Sequence, residues 1–312
     1  MQWSERIGRR IKLRDLHILT EVVQSGGMAK AAKRLAISTP VISKAIADLE
    51  RAVGVRLLDR GAQGVDVTMY GRALLRWSAS AFDDLRQGVK EIEFLSDPTA
   101  GELRIGCTDA MAAGFLPAVI SRLHRHHTRL IFQVSHAISS AVLYRELRER
   151  NVDLILGRIT MPTLEADLSA DILFDEPLLV VAGSRSRWPR RRKIELADLI
   201  SEPWMLPPAD TAAGALIRQT FQACGLESPR GAVVSASVQM HNTLLANGPY
   251  LAMRPASMLR FGAKAPWVKV LPVKLPALPR PVGIITLKGR MTSPATQLFI
   301  DCAREVGKPL AR

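Results

Sequence analysis

The clearest chemistry in this sequence comes from a short stretch in which hydroxyls, a proline and a lysine follow one another within two helical turns. If a helix begins at Ser38 or Thr39, either hydroxyl can cap its free amides, and Pro40 stands in the first turn, where it costs no hydrogen bond. Ser43 and Lys44 then share a face with Pro40. Short polar and cationic side chains on an exposed face can reach base edges and phosphates. This pattern favours a DNA-reading helix over the alternative, a plain helical hairpin with solvated charges.

Two earlier helices and the back of the reading helix must hold that face outward. Apolar residues recur at three- and four-residue spacing in each predicted helix, which indicates one buried stripe per helix. These positions are Leu13, Leu16, Leu19 and Val23 in the first helix, Met28, Ala31, Ala32 and Leu35 in the second, and Ile42, Ala45, Ile46, Leu49 and Val53 in the third. The small alanines of the second helix allow close approach of the third, as in a helix-turn-helix.

A β-hairpin is predicted directly after the reading helix. Gly54 is a plausible helix stop, and VRLLDRGAQGVDVT then alternates apolar and polar residues, with the hairpin tip at Gly61–Gly64. Arginines beside the hairpin can clamp phosphates or enter the minor groove, and solvated hairpin charges are an equal alternative. The candidate DNA-contacting residues are Ser38, Thr39, Pro40, Ser43, Lys44, Arg51, Arg56 and Arg60.

The distribution of charge supports a polyanionic partner such as double-stranded DNA. The net charge is +14, and residues 1–76 hold 14 Lys and Arg against 7 Asp and Glu, a charge density about threefold higher than in the rest of the chain. No apolar run reaches the ~18 residues of a membrane span, so we expect no membrane partner. The three separate cysteines and the lack of a secretory leader predict a cytoplasmic protein.

A long helix over about 69–96, capped by Thr68, is predicted to mediate dimerisation. Its apolar positions, with Ser78 filling one step, are spaced 3, 4, 3, 4, 3, which is a heptad-like seam. A second copy of this helix is the simplest partner, and packing on its own domain is the alternative. The seam residues are Leu75, Phe82, Leu85, Val89 and Ile92. A dimer would place two reading helices on successive major-groove faces, which predicts a roughly palindromic site.

From residue 102 onward, short apolar strands alternate with helices. This βαβ pattern predicts parallel sheets with helices on both faces, and the strands suffice for two lobes with a cleft between them. We expect a winged helix-turn-helix domain at 1–70, a linker helix at 71–97 and a regulatory domain at 98–312. The first lobe of the regulatory domain would comprise about 102–174 and 272–306, and the second lobe about 175–271.

Over almost its whole length the chain resembles the LysR-type transcriptional regulators. Residues 13–76 carry the resemblance through the pattern AAxxLxxSxPxxSxxIxxLExxxGxxLLxR, and GELRIG, FLPAVISRL, DLILGR and VVAGSRSR extend it toward the C-terminus. Within the family, the chain looks most similar to the branch that regulates sugar-binding-protein and aromatic-acid catabolic genes.

The resemblance implies a multidomain fold. An all-α winged helix-turn-helix domain would be followed by a dimerising helix and an α/β two-lobed effector domain like that of periplasmic binding proteins. The chain would form a homodimer or homotetramer, and we also expect RNA polymerase as a protein partner. A small-molecule inducer, anionic or sugar-derived, would bind between the lobes. Its candidate contacts are Thr108, Asp109, Ser139, Ser140, Arg158, Asp210, Thr211, Gln239 and His241.

The expected function is inducer-controlled, sequence-specific DNA binding at the nucleoid. Hydroxyls and amides at helix starts suit an anionic group, and Arg158 could pair with it bidentately, although each hydroxyl could also be a simple helix cap. A solute-binding or sensory module without DNA function is the alternative. No enzyme, cofactor or metal site is expected, because no nucleophile, base and orienting group can be assembled from the sequence.

Overall fold

A computed structural model of the chain describes residues 10–61, 64–159, 164–183, 185–278 and 281–310. The chain divides into two compact units, Met1–Arg86 and Gln87–Arg312. One helix, Met69–Ser96, contains the border between them. Among the described helices, none is both long and apolar enough to cross a membrane.

The N-terminal unit is a helix-turn-helix followed by a two-stranded hairpin. Its elements are, in chain order, α1 (Leu13–Gln24), α2 (Met28–Leu35), α3 (Thr39–Val53), β1 (Leu58–Gly61), β2 (Gly64–Val67) and the first part of α4 (Met69–Ser96). The predicted apolar stripe of α3 lies in the core of this unit. Ile42, Ile46 and Leu49 are fully buried, and Val53 is half-buried beside them. This burial fixes the rotation of α3 about its axis and turns its opposite face outward.

The start of α3 differs from the prediction in one respect. Ser38 precedes the helix and Pro40 lies in its first turn, but the Ser38 hydroxyl makes no capping hydrogen bond. Pro40 lacks one of the amides that such a cap would bind, and the amide of Val41 donates instead to the Ser38 carbonyl oxygen at 3.0 Å. The Ser38 side chain is therefore exposed at the surface.

Glu50 joins the hairpin to α3. Its Oε1 accepts hydrogen bonds from the amide of Leu57 at 2.8 Å and from the amide of Leu58 at 3.3 Å. β1 and β2 pair in antiparallel fashion, with Gly61 opposite Gly64. The hairpin and the two glycines that bound its predicted tip are thus confirmed, and residues 62 and 63 of the tip lie outside the described residues. The Glu50 carboxylate of α3 fixes the position at which the hairpin begins.

Thr68 caps α4 as predicted. Its Oγ1 accepts a hydrogen bond from the amide of Gly71 at 3.0 Å and donates to the carbonyl oxygen of Arg56 at 2.9 Å. The same hydroxyl therefore ends the hairpin and starts the helix. Satisfying a free amide in this way is worth about 1 kcal/mol of helix stability.

The predicted seam of α4 divides into two halves. Leu75 and Phe82 pack half-buried against the core of the helix-turn-helix. Leu85, Val89 and Ile92 are 51%, 55% and 65% exposed. The first half of the seam thus packs on its own unit, which is the alternative to dimerisation for those positions. The second half is an apolar surface, defined here as the α4 patch (Leu85, Val89 and Ile92).

Two glycines of α4 are expected to respond in opposite ways to replacement by alanine. A Cβ at Gly71 would lie 2.2 Å from the Leu57 carbonyl oxygen, so backbone must move, and we expect a loss of about 1–3 kcal/mol in the free energy of unfolding. A Cβ at Gly88 meets nothing within 4 Å, and Gly88→Ala should gain up to about 1 kcal/mol. Chemical denaturation measures both values, and equal losses for the two variants would contradict this packing.

The C-terminal unit contains two sheets with helices around them. Its elements are, in chain order, the end of α4, β3 (Ala100–Cys107), α5 (Asp109–Ala112), α6 (Phe115–His124), β4 (Arg129–His136), α7 (Ser140–Arg148), β5 (Leu154–Arg158), β6 (Leu168–Asp175), β7 (Leu178–Ala182), β8 (Trp204–Leu206), α8 (Ala212–Ala223), β9 (Val233–Val234), α9 (Val238–Asn247), β10 (Leu251–Pro255), α10 (Ala256–Phe261), β11 (Lys269–Val270), β12 (Pro281–Leu287) and α11 (Pro294–Gly307). Short 3-10 turns lie at Trp188–Arg190, Leu196–Leu199 and Lys308–Leu310.

Each sheet forms the centre of one lobe. The first lobe has the strand order β4-β3-β5-β12-β6, and the second has β11-β7-β10-β8-β9. Each lobe has its own apolar core, with Phe115 and Phe299 at 0% exposure in the first and Trp204 and Phe221 at 0% in the second. The predicted fold class, a winged helix-turn-helix followed by a two-lobed α/β domain, is therefore confirmed.

The prediction of purely parallel sheets is wrong. β3 runs parallel to β4 and β5, but β12 runs antiparallel to both β5 and β6. In the second lobe, β10 runs parallel to β8 and antiparallel to β7. Strands joined by a helix within one lobe run parallel, whereas β12 returns from the other lobe and enters its sheet from the opposite end. β6, at the edge of the same sheet, was not predicted from the sequence.

A buried carboxylate ties α4 to the first lobe. The side chain of Asp153 is 3% exposed, and its oxygens lie 2.7 Å from Arg104 Nη2, 2.8 Å from Arg290 Nη2 and 3.5 Å from Lys90 Nζ. Lys90, which belongs to α4, also donates to the Glu102 carbonyl oxygen at 3.2 Å. Burial alone raises the pKa of Asp153, but hydrogen bonds from Arg104 and the charge of Lys90 outweigh it and bring that pKa to about 2. Asp153 is therefore ionised at neutral pH.

Candidate nucleic-acid interface and ligand cavity

The first two turns of α3 present the predicted reading face to the surface. Ser38, Thr39, Pro40 and Lys44 are exposed, and Ser43 is half-buried. Within the described part of the chain, Lys44 belongs to no ion pair. The face thus offers small hydroxyls and, one turn further on, an ammonium group. These groups have the reach and the chemistry for base edges and phosphates.

The three arginines predicted to contact DNA differ in their surroundings. Arg51 is exposed, but its Nη1 lies 2.6 Å from Oδ1 of Asp48, one turn earlier in α3. Arg56 is exposed between α3 and β1. The backbone of Arg60 belongs to β1, and its side chain lies outside the described residues. An exposed ion pair such as that of Arg51 contributes only about 0–1 kcal/mol, so it can be exchanged for a phosphate contact.

A cavity of about 170 Å³ lies between the two lobes. Side chains from the ends of β3 and β5 and the start of α7 form one wall, and the starts of α8 and α9 and the end of β10 form the other. Six predicted inducer contacts line it, namely Thr108, Asp109, Ser140, Arg158, Thr211 and His241. The remaining lining is largely apolar and includes Leu143, Ile155, Leu216, Ile217, Met253 and Met258.

Three other predicted contacts, Ser139, Asp210 and Gln239, do not line this cavity. All three are exposed, and the Ser139 hydroxyl accepts a hydrogen bond from the amide of Ala141 at 3.2 Å as the cap of α7. Each has a neighbour in sequence or one turn away that does face the cavity. Neighbouring residues at the start of a helix point in different directions. Sequence position alone therefore did not show which of them faces the cavity.

Asp109 connects the two lobes at the cavity. Its Oδ2 accepts a hydrogen bond from the amide of Val238, at the start of α9, at 2.7 Å. A carboxylate at a helix N-terminus satisfies a free amide and the positive end of the helix dipole. The negative charge of Asp109 is therefore already compensated by the second lobe.

Arg158 and Glu176 form a second charged group beside the cavity. Arg158 Nη2 lies 3.8 Å from Glu176 Oε2, and Glu176 Oε1 accepts a hydrogen bond from the amide of Ser257 at 3.2 Å. Burial raises the pKa of Glu176 above its ordinary value. The arginine predicted to bind the inducer thus faces an acidic group of the protein.

Arg254, which the sequence analysis did not single out, also lines the cavity. It is 6% exposed, and its Nη2 atom has no hydrogen-bond partner among the described residues. Burial lowers the pKa of Arg254 to about 10, and burial together with the positive charge of Arg254 lowers the pKa of His241. The sequence did contain an indication of a special role for Arg254, because it is the one charged residue in the otherwise largely apolar run YLAMRP.

Comparison with known families gives matches to two models that together cover most of the chain. Residues 13–72 match the model described as "Bacterial regulatory helix-turn-helix protein, lysR family". Residues 96–308 match the model described as "LysR substrate binding domain".

Individual relatives and solved structures extend over almost the full length. The chain is 26% identical to the uncharacterized HTH-type transcriptional regulator YdcI of Escherichia coli, over 98% of this chain and 99% of YdcI. It is 24% identical to PcaQ of Agrobacterium fabrum, over 97% of each. Its fold is similar to a full-length OxyR variant from Pseudomonas aeruginosa, with a TM-score of 0.66, 21% identity and coverage of 96% and 97%. It is also similar to full-length CbnR complexed with its target DNA, with a TM-score of 0.56, 20% identity and coverage of 95% and 100%.

Proposed function

Because this chain belongs to the LysR family of DNA-binding transcriptional regulators, we propose that α3 and the hairpin read an operator while a small organic anion bound between the lobes controls the outcome. The observation that carries this proposal is the exposed hydroxyl and ammonium face of α3, held outward by a buried apolar stripe. The relatives are transcriptional regulators, not enzymes.

The proposed DNA contacts divide by chemistry. Exposed hydroxyls of Ser38 and Thr39, with Ser43 one turn later, suit base edges, and Lys44 suits a base or phosphate. Arg51, Arg56 and Arg60 suit phosphates. Contacts to base edges give sequence preference, and contacts to phosphates give affinity that falls with salt.

The assembly is proposed to be at least a dimer through the α4 patch. Three side chains that are each more than half exposed, at heptad-like spacing, suit a second copy of the same helix. Two reading helices related by a two-fold axis would then meet a roughly palindromic operator. We further propose a tetramer as the full assembly, RNA polymerase as a protein partner and nucleoid DNA in the cytoplasm as the site of action.

Control by the inducer is proposed to act through the relative arrangement of the lobes. The hydrogen bond between Asp109 and the amide of Val238 joins the lobes directly at the cavity. A ligand that binds one arrangement more tightly shifts the population toward it. Ligand binding at this place can therefore change how the assembly meets its DNA.

The test of DNA reading is a salt titration of operator binding by wild type and Lys44→Ala. Wild type should show a steep linear fall of log affinity with log salt, with a slope of about −0.9 per phosphate neutralised. If Lys44 contacts a phosphate, Lys44→Ala should reduce the magnitude of that slope by about 1. If Lys44 contacts a base, the loss of affinity in Lys44→Ala should depend on the operator sequence.

The matched control is Lys269→Ala, which removes the same charge from an exposed position of β11 in the regulatory unit. It should leave the slope within error of wild type. A flat salt dependence for wild type, with no protected DNA segment, would instead favour a solute-binding module without DNA function.

A further inference from the structure

Arg254 is a buried charged residue on a strand whose preceding residues are buried and apolar. It follows three buried residues of β10, Leu251, Ala252 and Met253, and only 6% of it is accessible. The pairing of β10 with β7 places Arg254 opposite Leu179. A guanidinium group carries five N–H donors and a permanent charge, and its burial is costly unless an acceptor compensates it. The Nη2 atom has no such acceptor among the described residues.

Among the described residues, neither of the two acidic groups at or beside the cavity, Asp109 and Glu176, forms a hydrogen bond or an ion pair with Arg254. Asp109 accepts the amide of Val238 at 2.7 Å. Glu176 accepts the amide of Ser257 through Oε1, and its buried Oε2, which has no hydrogen-bond partner among the described residues, lies 3.8 Å from Arg158 Nη2. The buried Nε2 of His241 has no partner within the described ranges, and His241 is affected by the charge of Arg254 rather than neutralising it. The guanidinium group of Arg254 therefore carries a buried hydrogen-bond donor for which the described part of the protein supplies no acceptor.

The shape and lining of the cavity restrict what can compensate this charge. The volume is about 170 Å³, and a dry cavity of about 150 Å³ holds one benzene-sized molecule. Most of the surrounding side chains are aliphatic or thioether groups. A planar carboxylate forms two parallel hydrogen bonds with a guanidinium and neutralises its single charge, whereas a phosphate monoester brings three acceptor oxygens and about 1.5 to 2 negative charges to the same single cation.

We propose that Arg254 is the anchor for the ligand of this regulator, and that the ligand is a compact monocarboxylic acid with an apolar, ring-sized body. The carboxylate pairs with the Arg254 guanidinium, and the apolar body occupies the space between Ile155 and Met258. The buried charge then has the role of selecting an acid over a neutral molecule of the same shape. This inference rests on the proposed function, because it assigns a ligand class to the cavity between the lobes.

The experiment is calorimetric titration of the full-length protein with acid and amide pairs of equal shape. Benzoate is compared with benzamide, and cyclohexanecarboxylate with cyclohexanecarboxamide. Wild type should bind at least one acid about 30-fold or more tightly than its amide, since removing one partner of a buried charged hydrogen bond costs that factor or more. Arg254→Met should abolish this preference, and Arg254→Lys should restore part of it because the charge returns without the bidentate geometry.

The thermal stability of the ligand-free variants separates a binding role from a structural one. Methionine is apolar, unbranched and similar in length, so Arg254→Met should leave the melting temperature equal to or above that of wild type. Arg260→Met, which removes an exposed arginine from α10, is the matched control and should keep the acid preference. Operator binding without ligand should persist in all variants.

The assignment would be overturned by equal binding of acids and amides by wild type, by unchanged acid binding by Arg254→Met, or by a marked fall in the melting temperature of that variant. If none of the acids binds wild type, the assignment is also wrong. In each of these cases operator binding by wild type still decides the proposed function separately, because it is measured without any ligand.

Discussion

Replacing Asp153 with asparagine is expected to lower the free energy of unfolding of the regulatory unit by about 3–5 kcal/mol, because three cations would lose a buried partner. Arg104, Arg290 and Lys90 all lie within 3.5 Å of this carboxylate. The amide of asparagine can accept hydrogen bonds but carries no charge. Chemical denaturation, followed by a probe of the regulatory unit, measures the change.

The same carboxylate gives the variant a distinct dependence on pH. The folded-state pKa of Asp153 is about 2, below its ordinary value of 3.8, so the ionised form stabilises the fold. This contribution, about 2 kcal/mol, is fully present above pH 4 and is lost as the pH falls through 2. The stability difference between wild type and Asp153→Asn should therefore narrow between pH 4 and pH 2.

Asp167 provides the matched control. It also pairs with an arginine, with its Oδ2 at 2.7 Å from Nε of Arg148, but half of its side chain is exposed. Asp167→Asn should cost no more than about 1 kcal/mol, as exposed ion pairs do. Similar losses for Asp153→Asn and Asp167→Asn would show that burial and the shared cations add nothing to the strength of the Asp153 cluster.

Placing charge on the α4 patch is expected to separate the proposed dimer and to weaken operator binding by about 10²–10⁴-fold, because two reading helices would then no longer bind the operator as parts of one molecule. Val89→Glu combined with Ile92→Glu makes this change at two side chains that are 55% and 65% exposed. The fold of each chain should be unaffected, since neither side chain is part of a core. Sedimentation analysis measures the assembly, and a binding titration with operator DNA measures the affinity.

Trp77→Glu is the control for this variant. Trp77 is 73% exposed on the same helix but lies outside the three- and four-residue spacing of the seam. It should leave both the assembly and the operator affinity close to those of wild type. A doubly substituted protein that still sediments as a dimer would rule out the α4 patch as the contact between copies.

The sequence alone determined the elements whose signals are local. The buried stripe of α3, the glycines at the hairpin tip and the cap of α4 at Thr68 depend on spacing and on residue type within a few positions, so periodicity and capping chemistry were sufficient to predict them. The change to alternating strands and helices after residue 102 likewise predicted a two-lobed α/β unit.

Only the tertiary structure decided how distant segments meet. The antiparallel entry of β12 depends on the chain's return from the other lobe, and the three cations around Asp153 come from positions 90, 104 and 290. Arg254 lies on a strand that reads as apolar core, and its place in the cavity follows from the pairing of β10 with β7. The physical reason is common to all three: burial and charge compensation depend on neighbours in space, which local spacing does not specify.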